Sequence, residues 1–237
     1  MQLPYFYIDS DIVAQTMVEL NEDTSKHIVQ VLRMKEGDRI KLTDGKGTVL
    51  TTTIAVAHKK NCSVVVERKY FSPRQARSVS IGISLLKNSS RFEWFLEKAA
   101  EIGVSSIIPL LCTRTEKQKF REDRMRGICI SAMLQSQQSW LPVLHAPIAF
   151  ELIFRQQEIS GVGQKFIAHC LDEKQELTEL LDNSSASQLI LIGPEGDFTP
   201  KEIELALAHR FLPVALGETR LRSETAGVVA ASLLRIN

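Results

Sequence analysis

Residues 189–202 read Leu189-Ile190-Leu191-Ile192-Gly193-Pro194-Glu195-Gly196-Asp197-Phe198-Thr199-Pro200-Lys201-Glu202. The unbroken apolar run at the start is what a strand buried on both faces of a parallel sheet requires. Two glycines around a Pro-Glu pair then let the backbone turn sharply and approach a ligand. Thr199 with Glu202 three residues later forms a capping box, and Pro200 takes the first helical position, so a helix follows. A strand, a tight loop and a helix in direct succession form the unit from which open α/β sheets are built.

The same alternation extends in both directions. Upstream, Val79–Leu86 is a nearly continuous apolar strand. Ser90 with Glu93 predicts a capped helix carrying the stripe Phe92, Phe95, Leu96 and Ala99, ended by Gly103. Val104–Leu111 reads as the next strand, Arg121–Gln138 as a long helix, and Phe166–His169 as a short strand. Downstream, Pro213–Leu216 is a strand and Ser223 opens a final helix, small and apolar through Leu234. Small residues there allow close backbone packing, inside the domain or between subunits.

Residues 1–71 follow a different rule. Asp38–Thr43 alternates polar and apolar, Asp44-Gly45-Lys46-Gly47 is a turn, Thr48–Val56 is rich in β-branched residues, and Cys62–Val66 is a short apolar strand. One helix over Ser25–Arg33 interrupts them. A small β-barrel or sandwich fits, and Ser72-Pro73-Arg74-Gln75 reads as a linker. The expected organisation is therefore a β domain over 1–71 and an α/β domain over 74–237.

The 237 residues are 44% hydrophobic and 24% charged, which suffices for a sizeable core without disulfides or a structural metal. A net charge of +1 argues against a generic polyanion binder. The charge is nevertheless uneven: residues 1–70 hold ten basic and nine acidic side chains, 71–150 eleven and six, and 151–237 eight and thirteen. A basic middle can draw phosphate locally. Cys62, Cys112, Cys129 and Cys170 are scattered without CxxC spacing, so neither a metal site nor a disulfide framework is expected, and a reducing cytoplasm is the natural home. The start, Met1–Asp11, lacks a basic segment followed by an apolar run, so no signal peptide is expected. No apolar stretch approaches the ~20 residues of a membrane span.

Ligands of open α/β sheets bind at the carboxyl ends of the strands. Three loops there stand out: Gly193–Phe198, Leu216-Gly217-Glu218, and Leu221–Ala226 at the start of the last helix, where backbone donors and Arg222 suit an electron-rich group. Singly, each is as well explained by a tight turn or a surface ion pair. Together, in one strand-helix-strand-helix unit, they mark a site. No GxxxxGK[ST], strand-borne GxGxxG or GxSxG is present, which disfavours triphosphate, dinucleotide and serine-hydrolase chemistry.

GPEGDF at 193–198 followed by LGETRLRSETA at 216–226 resembles the C-terminal signature of the bacterial RsmE family, the ribosomal small-subunit RNA uridine-N3 methyltransferases. The resemblance continues through His27–Arg33 with Gly37-Asp38, Arg91–Trp94 with Lys98, Glu101–Val104, and Ile107–Leu110. It implies an N-terminal PUA-like β-barrel that helps hold RNA. It also implies a SPOUT-type open parallel sheet with a C-terminal trefoil knot that binds S-adenosylmethionine, in a homodimer acting on 16S rRNA. The chain departs from the family in the long helix, where Ser131 replaces a Glu and Gln137-Gln138 replace Gly-Arg, and in the loop, where Asp197 replaces a second glycine.

On this basis the cofactor is expected against His169, Ile192, Gly193, Pro194, Gly196, Leu216, Gly217, Leu221, Ser223, Thr225 and Ala226. Arg222 is expected to stabilise the uridine anion, with Glu195 as proton acceptor or as orienter of Arg222. Arg33, Arg91, Lys98 and Arg114 are candidates for phosphate contact, and no metal is expected. Two other readings remain open: a SPOUT methyltransferase acting elsewhere on RNA, such as a ribose 2′-hydroxyl, and a non-catalytic RNA-binding protein.

Overall fold

The computed structural model describes residues 3–9, 16–116, 119–170, 175–182 and 184–236. Residues 1, 2, 10 and 11 of the start examined for a signal peptide lie outside them. The chain divides into two compact units, residues 1–74 with 133–141, and residues 75–132 with 142–237.

The first unit is a five-stranded sheet of β1 (Tyr5–Tyr7), β2 (Met17–Glu19), β3 (Arg39–Thr43), β4 (Thr48–Val56) and β5 (Ser63–Phe71), ordered β1-β3-β4-β5-β2. Among the described residues of this sheet only β1–β3 is a parallel pair. Register shifts between Thr51 and Thr52 and between Ile54 and Val56 bend the long β4–β5 ribbon, as bulges do. Ile28, Ile40, Leu42, Leu50, Ile54 and Val64 fill its core. The expected helix begins earlier than Ser25, because the Asn21 side chain accepts the Thr24 N–H and starts α1 (Glu22–Lys26). The chain then widens into a π-helical turn over His27–Val31. Buried Ser25 locks this segment to β5's entry, donating to the Leu20 carbonyl and accepting the Cys62 N–H at 2.9 Å.

Residues 133–141 complete this unit. Leu141 N–H bonds Gly45 O, Gly47 N–H bonds Ser139 O, and the Trp140 indole N–H donates to Ser72 O at 2.9 Å. Gly47 has φ +94°, and a Cβ there would sit 2.5 Å from the Trp140 ring, so both backbone and packing require glycine.

The second unit is a parallel sheet of β6 (Ser78–Ser84), β7 (Ser106–Leu111), β8 (Val143–Leu144), β9 (Ile148–Ala149), β10 (Gln164–Ala168), β11 (Gln175–Glu176), β12 (Ser187–Ile192) and β13 (Leu212–Ala215). Its order is β11-β13-β10-β12-β6-β7-β8, with β9 also on β7. Every pair is parallel, so each connection must cross over. The longer helices are α2 (Ser89–Ile102), α3 (Glu122–Gln135, whose last residues group with the first unit), α7 (Pro200–Ala208) and α8 (Ser223–Ile236). Single helical turns α4 (Phe150–Ile153), α5 (Gln157–Ser160) and α6 (Leu177–Leu180) fill the connections. One core gathers Leu110, Phe150, Ile167, Leu189, Leu191 and Phe211.

Helix α2 corrects one expectation. Its cap is Asn88, which accepts the Ser90 N–H, and not Ser90 with Glu93. Glu93 is occupied elsewhere, held by both Arg124 Nε and Nη2 at 2.7 Å. Gly103 ends the helix at φ +88°. Helix α8 packs on α2 and β6 through Gly227, where a Cβ would meet the Phe95 ring at 2.6 Å and Ile83 at 3.1 Å. The smallness of α8 thus serves internal packing at this position.

Candidate functional site

Strands β10, β12 and β13 lie side by side and end together at Ala168, Ile192 and Ala215. The loops leaving them enclose a cavity of about 650 Å³, within the range of small-ligand sites. Its walls include His169, Ile192, Gly193, Pro194, Glu195, Leu216, Gly217, Leu221, Arg222, Ser223 and Ala226. The three turns singled out from sequence therefore share one hollow. Gly196 and Thr225 belong to the same turns but do not line it.

The first turn is tied down from several sides. Asp197 N–H bonds Pro194 O at 2.9 Å, closing the turn. Glu195 Oε1 accepts the Lys87 N–H beyond β6 at 3.1 Å. Arg114, beyond β7, donates to the Gly196 carbonyl at 2.5 Å. Asp197 accepts the Cys170 N–H at 2.9 Å and the Phe198 N–H at 2.8 Å. Phe198 is buried against Phe150 and crowds Gly193, where a Cβ would approach its ring to 3.1 Å. Buried Glu202 of α7 completes the capping box with Thr199 and also accepts the Thr113 N–H at 2.8 Å. A loop held this way needs little reordering when a ligand arrives.

The second turn contains Gly217 at φ +108°, its N–H bonded to Glu176 at 3.1 Å. The third starts α8, with Ala226 N–H bonding Arg222 O at 2.8 Å. The earlier N–H groups of that helical turn have no intrahelical partner. The Arg222 side chain is exposed at the cavity, and no described carboxylate pairs with it. No ion pair joins it to Glu195, whose Oε1 accepts the Lys87 N–H.

Asp197 and Glu218, which lie in the singled-out turns but were not among the expected cofactor contacts, also line the cavity, as do Cys170 and Arg220, which the sequence reading missed. Asp197 has φ +64°, the left-handed conformation that favours glycine and tolerates Asp or Asn. Carboxylates at Glu195, Asp197 and Glu218 stand among apolar walls of Ile192, Val214, Leu216 and Leu221. That combination fits a nucleoside carrying a positively charged sulfonium: apolar surface for the base, carboxylates for the cation. The buried thiols are not nucleophiles, since burial pushes Cys112 and Cys129 up to about 12. Among the described residues no three His, Cys, Asp or Glu side chains cluster as metal ligands, and no helix is long and apolar enough to cross a membrane.

Residues 73–235 match the RNA methyltransferase domain family, and residues 20–67 match the RNA methyltransferase PUA domain. The chain belongs to the RsmE family of RNA methyltransferases. The ribosomal RNA small subunit methyltransferase E of Rickettsia conorii is 26% identical over 241 aligned residues, covering 100% of this chain and 96% of that protein. A probable rRNA-methyltransferase from Porphyromonas gingivalis is 37% identical with a TM-score of 0.88, over 97% of this chain and 95% of the other. The ribosomal RNA small subunit methyltransferase E of Neisseria gonorrhoeae, solved bound to S-adenosyl methionine, is 25% identical with a TM-score of 0.87, over 98% and 96%. The RsmE-type fold, a PUA-like sheet followed by a parallel α/β sheet, is thus the fold of this chain.

Within the RsmE frame, the candidate phosphate-binding cations are scattered. Arg33 is exposed in the first unit at φ +56°. Lys98 is engaged by Glu97 at 2.7 Å and Glu101 at 3.0 Å. Arg91 lies 3.6 Å from Glu224 in the first turn of α8, and Arg114 holds the Gly193–Phe198 turn. None of these four side chains lines the cavity.

Proposed function

We propose that this chain transfers the methyl group of S-adenosylmethionine to N3 of a uridine in 16S rRNA of the small subunit. The observation that carries this reading is the convergence of the three signature turns on one cavity at the carboxyl ends of β10, β12 and β13. Relatives that match this chain over nearly its whole length are ribosomal small-subunit methyltransferases, and one is bound to S-adenosyl methionine.

When bound, S-adenosylmethionine supplies a methyl on positive sulfur that leaves as a neutral thioether. The chain's task is alignment and charge control. Ile192, Leu216 and Leu221 exclude water from the methyl, and in-line positioning lowers the barrier by up to roughly 7–11 kcal/mol in favourable intramolecular cases. Uridine N3 becomes nucleophilic only as its proton leaves, which places negative charge on O2 and O4. Arg222, unpaired by any described carboxylate, stabilises that charge. Glu195 Oε1 is taken by the Lys87 N–H, which leaves Oε2 to receive the proton directly or through water. As the N–C bond forms and the C–S bond breaks, the N3 proton passes by that route to solvent. The base must be unstacked for this, so the substrate uridine is single-stranded or flipped.

The reading includes the trefoil knot implied by the resemblance, with the three turns as its cofactor face. It also includes the first domain as RNA holder, a homodimer, and a cytoplasmic location where ribosomes are assembled. Arg222→Ala tests the catalytic assignment. Calorimetric affinity for S-adenosylmethionine should stay within about threefold while turnover falls by about a hundredfold or more. Wild-type turnover in that variant would remove Arg222 from the mechanism. Light scattering of the purified chain tests the dimer.

A further inference from the structure

The first unit carries an aromatic and cationic cluster that the cofactor cavity does not use. Trp140 is fixed in place: its indole N–H bonds Ser72 O at 2.9 Å, and Gly47 lies against its six-membered ring. The Arg74 guanidinium carbon sits 4.8 Å from the centroid of the Trp140 ring. Phe71, the last residue of β5, meets Trp140 edge-on at 5.8 Å and 85°, yet is itself 63% exposed. Tyr70 beside it is also exposed. No described carboxylate pairs with Arg68 or Arg74, whereas Arg39 nearby is paired with Glu67.

An exposed phenyl ring braced by a rigid indole is a π-surface whose side-chain freedom is already reduced. A guanidinium held over an aromatic ring brings a planar group and a positive charge to the same surface. Unneutralised arginines beside aromatic faces are the combination that binds single-stranded nucleic acid: bases stack, phosphates meet the cations, and sequence matters little. A surface for an apolar protein partner has no need of two unpaired arginines, and a duplex offers no unstacked base to Phe71.

The geometry points to a second RNA subsite, in which Phe71 and Arg74, braced by Trp140, stack unpaired bases of the substrate strand while Arg74 and Arg68 take its phosphates. This inference rests on the proposed RNA substrate and extends it. The subsite lies wholly in the first unit and acts on RNA affinity, not on the methyl-transfer step.

The full-length chain is titrated against a short fluorescein-labelled single-stranded oligouridylate and against an RNA duplex, at several salt concentrations, by fluorescence anisotropy. Phe71→Ala and Phe71→Leu should each weaken single-strand binding by about tenfold, within the five- to hundredfold range of one lost stack, without changing the salt slope. Phe71→Trp should keep wild-type affinity. Arg74→Ala should weaken binding and also flatten the logarithmic salt slope by roughly 0.7. Duplex binding and calorimetric affinity for S-adenosylmethionine should not move in any variant. Wild-type single-strand affinity in Phe71→Leu, a variant that keeps the apolar bulk and removes the π-face, overturns the inference, as does an equal loss on duplex. Methyl transfer to 16S rRNA is followed on the same preparations. Absence of transfer by the unaltered protein counts against the proposed function, whereas the anisotropy series still decides the subsite.

Discussion

The Asp197 carboxylate accepts the Cys170 backbone N–H at 2.9 Å, joining the turn after β12 to the chain leaving β10 across one wall of the cavity. The same side chain accepts the Phe198 N–H at 2.8 Å from a residue held at φ +64°. A left-handed non-glycine residue costs roughly 1–2 kcal/mol, and hydrogen bonds to a charged acceptor return roughly 1.5–3 kcal/mol each. Asp197 therefore more than offsets its own backbone strain and positions the wall.

Asp197→Gly relieves the strain and loses both bonds. Affinity for S-adenosylmethionine should fall about five- to tenfold by calorimetry. Asp197→Asn, which also tolerates the left-handed region and keeps an acceptor oxygen, should fall less. Equal affinity in Asp197→Gly and the unaltered chain would show that the wall holds without this tie.

Gln137 offers the converse case. It too lies in the left-handed region, at φ +58°, and its side chain makes only a 3.3 Å bond to Leu134 O. With little to offset the strain, Gln137→Gly should stabilise the chain by about 1 kcal/mol, raising the thermal midpoint by roughly 2–4 °C. Scanning calorimetry of the two proteins side by side checks it.

Glu202 is 3% exposed and satisfies Thr199 N–H, the Thr199 hydroxyl and Thr113 N–H. Glu202→Ala removes the capping box and leaves buried donors unpaired. The expected loss is about 2–4 kcal/mol in urea unfolding. Glu202→Gln, which keeps an acceptor oxygen, should lose less.

The Glu93–Arg124 pair carries a pH dependence of known sign. Its hydrogen bond from Arg124 holds the Glu93 carboxyl below its usual 4.5. A depressed carboxylate contributes stability that is fully present above its unfolded pKa and is lost as pH falls through the lower folded value. The unaltered chain should therefore be more stable than Arg124→Ala at neutral pH, and the gap should close as pH drops below about 4.5. A gap that widens on acidification would reverse the assignment.

Much of the second unit was legible because its signals are local. The apolar runs at Val79–Leu86 and Leu189–Ile192, the Thr199 capping box and the Gly103 stop each act within a few residues, and all formed. The turns around the cavity were legible for the same reason: glycines at 193 and 217 punctuate strand ends that a parallel sheet must bring together. Long-range choices were not legible. Ser90 and Glu93 have capping-box spacing, but Arg124 from α3 took Glu93, and Asn88 caps the helix two residues before Ser90. Strands β1 and β2 have three residues each and exist only through pairing with β3 and β5. Nothing local in Met133–Leu141 says that it completes the first unit, because the deciding partners, Gly45, Gly47 and Ser72, lie more than sixty residues away. Asp197 could have been found, since an Asp at a family glycine in a tight turn suggests a left-handed residue, but its bond to Cys170 could not.

The measurement that tests the account most directly is methyl transfer from isotopically labelled S-adenosylmethionine to unmodified small-subunit RNA, free and in assembled particles, with the modified atom mapped by mass spectrometry. The account predicts one labelled uridine carrying the methyl on N3, and loss of that label in Arg222→Ala. A methyl on a ribose 2′-hydroxyl, or no label with the chain saturated in S-adenosylmethionine, would contradict it.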